Sequence, residues 1–447
     1  MRLGLKMLMV VVLTLAILLP LAMIRGTISE RQAYRQQAVA DIAASYAGAQ
    51  AFAGPVLVVP YSELVEAEER DAQGVLHKVL RREARQWTFF PAALDVRAQL
   101  QPGTRRRGLH EVRVYELRDA VATARFDVQL PIEEPGRERR IEAPWLSYAI
   151  ADVRGLLGTP RLKVDGVERA IAQGARGGPG IHARLPVPAV DGRLRFDARL
   201  DFTLGGTESL ALVPLGDRNR FAIASRWPHP RFEGDFLPRT RKIDAQGFDA
   251  HWEVSSLATR AQAQFLEGQR FPQREGDGRS AAGGGIDAVG VSLVEPVNVY
   301  SQADRASKYG LLFVLLTFVG FFMFELIKAL PIHPIQYGLV GLALAIFFLL
   351  LVSLSEHVAF GWAYLASSVA CIGLLGFYLS AVLRSSARGL GFAAMLALLY
   401  AALYGLLVSE DNALVLGAGL LFAILAAIMV VTRRVDWYAL GRRRAEG

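Results

Sequence analysis

Residues 308–357 read KYGLLFVLLTFVGFFMFELIKALPIHPIQYGLVGLALAIFFLLLVSLSEH. Two apolar runs, each near the roughly 20 residues needed to cross a bilayer, are joined by a short link at 325–336 that carries prolines. The stretch divides the chain. Apart from one N-terminal apolar segment, everything before it has the polar, Pro/Gly-punctuated texture of a water-soluble region. Everything after it is apolar with brief charged breaks.

Working outward, five apolar runs occupy 310–327, 335–353, 361–382, 391–408 and 413–432, and a sixth, with Lys6 near its start, lies at 5–24. The N-terminal run is longer than a signal-peptide core and no small-residue cleavage site follows it, so it reads as a retained anchor. Pro20 is expected to bend or end that helix. The polar, alanine-rich 26–50 stretch has helical spacing, with Thr27 or Ser29 as a plausible cap.

The fold class expected is therefore a polytopic α-helical membrane protein of six transmembrane helices, with a large β-rich domain inserted between helices 1 and 2. Its parts are an anchor at 1–25, the β-rich domain at 26–305, a five-helix block at 306–434 and a basic tail at 435–447.

Charge sets the expected orientation. The links after the second, fourth and sixth helices contain Lys328, Arg384, Arg388, Arg433, Arg434, Arg442, Arg443 and Arg444, whereas those at 354–360 and 409–412 contain no Lys or Arg. Short basic loops stay on the cytoplasmic side. Both termini are then cytoplasmic and the large domain periplasmic. Arg25, Arg31 and Arg35 just beyond the first helix run against this, but long domains are translocated regardless of charge. The C-terminal arginines predict contact with anionic lipids.

In the large domain, period-two alternation marks half-buried strands. Phe126, Val128 and Leu130 share one face, as do Phe196, Ala198, Leu200, Phe202 and Leu204. Similar alternation occurs at 79–90, 111–117 and 221–225, and FAGPVLVVP at 52–60 reads as a turn and a buried strand. QPGTRRRG at 101–108, GARGGPG at 174–180 and AAGGG at 281–285 read as turns, because none has the strand-glycine-helix setting of a phosphate loop. The polar 267–285 segment is expected to be flexible.

The formal charge of +8 could suggest nucleic acid. The basic residues, however, flank membrane segments or scatter through the domain, and no nucleic-acid partner is expected. The single cysteine, Cys371, allows no intrachain disulfide or thiol-based metal site, and no cofactor or metal is expected.

Several polar residues are candidates for function. Glu325 lies at the end of the second apolar run, three residues before Lys328, and His333 sits between two prolines; together they could relay ions or form an interfacial pair. Glu356 and His357 have suitable types for an acid/base pair, and with Glu410 and Asp411 they could bind a cation or dock the soluble domain. The inverted metalloprotease pattern would need histidine at 353, where Ser353 stands. In RWPHPRFEGDFLP (226–238), Trp227, His229 and Asp235 mark a rigid aromatic loop that could bind a partner or form a buried corner.

Taken together, GPVLVVP at 54–60, WPHPRFEGDFLP at 227–238, DRASKY at 304–309, the 333–357 run and VTRRVDWY at 431–438 make the chain resemble the CreD family of bacterial inner-membrane proteins over nearly its whole length. The resemblance implies a role in cell-envelope integrity and in the envelope-stress or β-lactam response, with an association with colicin tolerance, and it brings no established catalytic residues to carry over. It leaves three readings: a non-enzymatic envelope protein acting on an envelope protein or glycan, a transporter or signalling protein using Glu325, His333, Glu356 or Glu410, and an enzyme acting on lipid or peptidoglycan.

Overall fold

The computed structural model describes residues 3–70, 76–108, 110–131, 139–176, 178–187, 192–271, 285–293, 299–328, 333–409 and 413–433. The chain forms two units. One comprises Met1–Tyr34 with Val297–Gly447, and the other comprises Arg35–Pro296. Helix α1 (Leu3–Ser45) is shared by both.

Within the second unit, the strands in chain order are β1 (Gln50–Arg70), β2 (Leu76–Phe89), β3 (Ala93–Arg107), β4 (His110–Gln129), β5 (Arg139–Ile141), β6 (Trp145–Ile150), β7 (Leu156–Val164), β8 (Val167–Arg169) and β9 (Ala172–Ala175). They continue with β10 (Gly178–Arg184), β11 (Arg193–Thr207), β12 (Ser209–Val213), β13 (Arg218–Ser225), β14 (Arg231–Gly234), β15 (Thr240–Asp244), β16 (Gly247–Ser255) and β17 (Val289–Ser292). A short helix, α2 (Ala261–Leu266), precedes β17.

Two sheets result. The first runs β14-β17-β12-β1-β6-β10-β9, with β2 and β5 also paired to the long β1; the second runs β15-β16-β13-β3-β4-β11-β7-β8. Their inner faces pack together as a sandwich. Phe52 of β1 stacks on Phe202 of β11 with ring centroids 4.9 Å apart, and Phe126, Tyr115, Leu117, Leu200 and Leu204 are each at most 1% exposed. Each such large side chain contributes roughly 1.5–3 kcal/mol by leaving water.

The run FAGPVLVVP lacks polar alternation because β1 is buried on both faces. Phe52, Leu57 and Val59 join the core between the sheets, whereas Ala53, Val56 and Val58 pack in a second cluster with Ala261 and Phe265 of α2. Strands covered on both sides read as continuous apolar runs.

Three expectations are corrected here. The 101–108 segment is strand through Arg107, not a turn. Beyond Leu100, β3 pairs only with β4, since β13 ends its pairing at that residue; proline is tolerated on a strand with one open edge, so Pro102 does not stop it. The 111–117 and 122–130 runs are one strand, kept continuous through a bulge where Asp119 has φ +50°. Residues 231–234, read as loop, form β14 against β17. Residues 272–284, most of the segment expected to be flexible, lie outside the described residues.

The first unit gathers helices α3 (Val299–Lys328), α4 (Pro334–Ser355), α5 (Phe360–Val382), α6 (Ser386–Val408) and α7 (Ala413–Thr432) with the N-terminal part of α1. Among the described residues five helices are long and apolar enough to cross a membrane, at Val11–Ser45, Gln302–Phe322, Pro334–Ser355, Phe360–Val382 and Ser386–Val408; α7 offers the shorter apolar stretch Val415–Ala426.

Pro20 does not end α1, which runs on to Ser45. Ile17, Leu21, Ile24 and Ile28, spaced at helical intervals, form its buried stripe. At Gly341 of α4 an added Cβ would lie 1.7 Å from Ile17 Cδ1. Small residues allow membrane helices to approach this closely.

Candidate functional site

In the helical unit, Tyr337 of α4 donates its hydroxyl to Glu325 Oε2 of α3 at 2.9 Å. Glu325 is 3% exposed and Tyr337 1%, so a carboxyl group sits inside the helix packing with a buried donor. Phe318 and Phe321 flank Tyr337, with centroids 5.8 and 4.6 Å away. His333 does not join them. It is exposed and caps α4, its ring accepting from Ile335 N while Gln336 accepts from the His333 backbone N–H.

Glu356 and His357 follow the other end of α4, about 33 Å away along its 22 residues. Glu356 pairs with Arg31 of α1 at 3.4 Å, and His357 is exposed. The structure thus separates the four residues into two places. Glu410 and Asp411 lie outside the described residues.

A third polar group was not expected from the sequence. Tyr364 of α5 donates to Tyr400 O of α6 at 2.7 Å, Tyr400 donates to Cys371 Sγ at 3.2 Å, and the thiol donates to Ala343 O of α4 at 3.6 Å. The signal available was tyrosine within otherwise apolar runs, since a buried phenol needs a partner.

In the β unit, Trp227, His229 and Asp235 form a braced corner. Trp227 Nε1 donates to His229 O at 2.7 Å, and the Arg113 guanidinium stands 4.8 Å from the Trp227 ring. Asp235 Oδ2 accepts from Ala288 N at 2.9 Å, while its own N–H donates to Ala288 O at 2.8 Å. These bonds tie 227–238 to the segment leading into β17. His229 and Asp235 are exposed and Trp227 is partly buried.

The most heavily bonded polar cluster is the end of α1, which sequence reading missed. Arg154 donates to the carbonyls of Ala43 and Ala44, satisfying acceptors that a helix C-terminus leaves open. Asp152 orients that guanidinium through a contact of 2.6 Å and accepts from Gly48 N at 3.1 Å. Gln50 donates to both Asp152 O and Gly205 O, at 2.8 and 2.9 Å, and Thr207 Oγ1 donates to Ala47 O at 2.6 Å. Added Cβ atoms at Gly205 and Gly206 would lie 2.6 Å from the Tyr46 hydroxyl and 2.5 Å from that of Tyr115. The Gly-Gly pair therefore makes room for both tyrosines. Together these bonds clamp the end of α1 to the β sandwich.

The hydrogen bond from Arg154, helped by those from Gly48 and Arg154 backbone N–H groups, holds the Asp152 carboxyl below its usual 3.8 despite partial burial. A lowered carboxylate contributes stability that is full above about pH 5 and is lost as pH falls through the folded value. Asp152→Asn is expected to raise amide exchange in residues 43–50 about tenfold at neutral pH, from loss of one charged hydrogen bond. As pH falls through that lowered folded value the variant and the parent are expected to converge. Hydrogen exchange with mass spectrometry on the full chain reads both, and equal exchange at neutral pH would refute the clamp.

Among the described residues no group of three His, Cys, Asp or Glu side chains is placed to hold a metal ion.

The fold and these sites define a membrane protein of several long apolar helices that carries a large two-sheet β domain between the first and second of them. The family model described as "Inner membrane protein CreD" matches residues 2–438. Inner membrane protein CreD of Escherichia coli (strain K12) is 35% identical over 429 residues, covering 95% of this chain and 91% of that protein. The chain belongs to the CreD family of multi-helix inner-membrane proteins.

Proposed function

We propose that this protein supports the integrity of the cell envelope and its response to envelope or β-lactam stress through contacts of its β domain, without chemistry of its own. In this reading α1 and α3–α7 give six membrane crossings, both termini are cytoplasmic and the β domain is periplasmic. The observation that carries the reading is the clamp at Asp152, Arg154 and Gln50, which joins a large β sandwich to the helix that continues into the membrane unit. Such a bond set suits a domain that must report to, or pull on, its membrane anchor.

The orientation is supported by charge. Eight Lys and Arg residues follow the second, fourth and sixth apolar runs, against none in the two alternate links. The three arginines beyond the first apolar run, which opposed this assignment, each have a partner. Arg25 donates to Ser307 O, Arg31 pairs with Glu356 and Arg35 pairs with Glu208. These bonds give the three arginines structural roles that are compatible with the proposed orientation.

A second reading, transport or signalling, draws on Glu325, since an ionisable group inside membrane helices is costly to keep. Deleting residues 50–300 is expected to abolish protection of cells against envelope stress, whereas Glu325→Gln is expected to leave it intact. Survival under a β-lactam checks both strains, with membrane insertion followed by blotting. Protection that survives the deletion would sink the first reading, and protection lost in the inserted Glu325→Gln variant would favour the second.

A further inference from the structure

The outer face of the second sheet carries a furrow of about 760 Å³. Strand register explains it. In one row Arg218 of β13, Ala93 of β3, Arg125 of β4 and Asp197 of β11 lie side by side; in the next row stand Arg220, Asp95, Thr123, Arg199 and Lys163 of β7. The short side chains of Ala93 and Thr123 make the floor. Long cationic side chains rise from the flanking strands.

Most of these charges are already engaged. Arg125 pairs with Asp197, Arg199 with Asp201 and Arg220 with Glu253, and Asp95 on the floor pairs with Arg97. Arg218 and Lys163 are exposed and have no carboxylate partner among the described residues. They stand on opposite banks, four strand spacings or about 19 Å apart. One small anion cannot bridge that distance.

The furrow's lining holds Arg125, Lys163, Arg199, Arg218 and Arg220 against Asp95, Asp165 and Asp197, which leaves an excess of two positive charges. Three carboxylates in the walls would repel a densely charged polyphosphate. A chain whose carboxylates are separated by neutral polar units meets the two free cations without crowding the acids. We propose that this face binds an acidic polysaccharide strand, lying across β13, β3, β4, β11 and β7 with its carboxylates at Arg218 and Lys163.

The inference deepens the reading that the β domain meets envelope material, and it is tested without reference to envelope protection. Full-length protein in detergent is titrated with a fluorescein-labelled hyaluronate oligosaccharide, which carries one carboxylate per disaccharide, and anisotropy is followed. Binding is expected to weaken with added salt. The double variant Arg218→Gln/Lys163→Gln is expected to bind about tenfold more weakly, as for loss of two exposed ionic contacts.

Arg106→Gln/Arg118→Gln removes the same charge from cations paired with Glu111 and Glu116 elsewhere in the domain. It is expected to stay within about twofold of the parent. No binding by the parent, or equal losses in the two double variants, would overturn the proposal. So would tighter binding of a DNA oligonucleotide or of phosphatidylglycerol vesicles through Arg218 and Lys163. Failure here with envelope protection intact would reject the furrow alone.

Discussion

Glu63→Ala is expected to lower the stability of the β unit by about 3–5 kcal/mol, the cost of breaking a buried ion pair from one side. Glu63 lies in the middle of β1 and its side chain is 0% exposed; Arg139, 5% exposed, donates Nε to Glu63 Oε2 at 3.1 Å. Arg139 also donates to Pro131 O at 2.7 Å, and its guanidinium lies 5.8 and 5.7 Å from the Tyr61 and Trp87 rings, which stack at 3.9 Å. Removing the carboxylate takes from this buried cation its ion pair with β1. A second partner, Arg85, is 47% exposed and 2.7 Å from Oε1, so Arg85→Gln is expected to cost under about 1 kcal/mol, as for a solvated ion pair. Urea unfolding of the full chain followed by tryptophan fluorescence separates the two. Equal midpoints for Glu63→Ala and Arg85→Gln would refute the buried-pair account.

Glu63 also illustrates what a sequence conveys. Within YSELVEAEER it looks like a wet-face residue, and its partner Arg139 stands 76 positions on. No local pattern joins them. The same holds for the clamp, where Gln50 reaches Gly205 across 155 positions. Local periodicity did carry the strands. Phe126 and Val128, with Phe196 through Leu204 at alternate positions, all point inward as their spacing requires.

Misreadings arose where proline or glycine seemed to end an element but a neighbour kept it going. Pro102 lies on a strand with one open edge, and Pro20 lies within a helix whose apolar stripe packs against α3 and α4. In the membrane block, length and hydropathy located the helices, while the tyrosine bonds at Tyr337, Tyr364 and Tyr400 depend on which faces meet.

The 226–238 segment tests that distinction between a local look and a long-range role. Its aromatic residues allowed a binding loop or a buried corner, and in the structure Trp227, Phe232 and Phe236 pack against the core of the sandwich. Phe232 of β14 meets Trp252 and Phe248 of β16 edge-on, with centroids 5.7 Å away in both cases. Trp252, 1% exposed, donates Nε1 to Phe236 O at 3.1 Å. Since β14 belongs to the first sheet and β16 to the second, the segment closes one end of the sandwich. Trp252→Ala is therefore expected to cost about 3–5 kcal/mol through lost packing and a cavity. Trp252→Phe keeps most of the packing and should cost about 1 kcal/mol beyond the volume lost, for the missing hydrogen bond. His229→Ala, at an exposed position, is expected to stay within about 0.5 kcal/mol. Denaturation midpoints of the three full-length variants, read together with their protection of stressed cells, discriminate the roles. A His229→Ala protein of parental stability that fails to protect cells would return this corner to the list of binding surfaces, and protection that tracks stability across all three would keep it as the seam between the sheets.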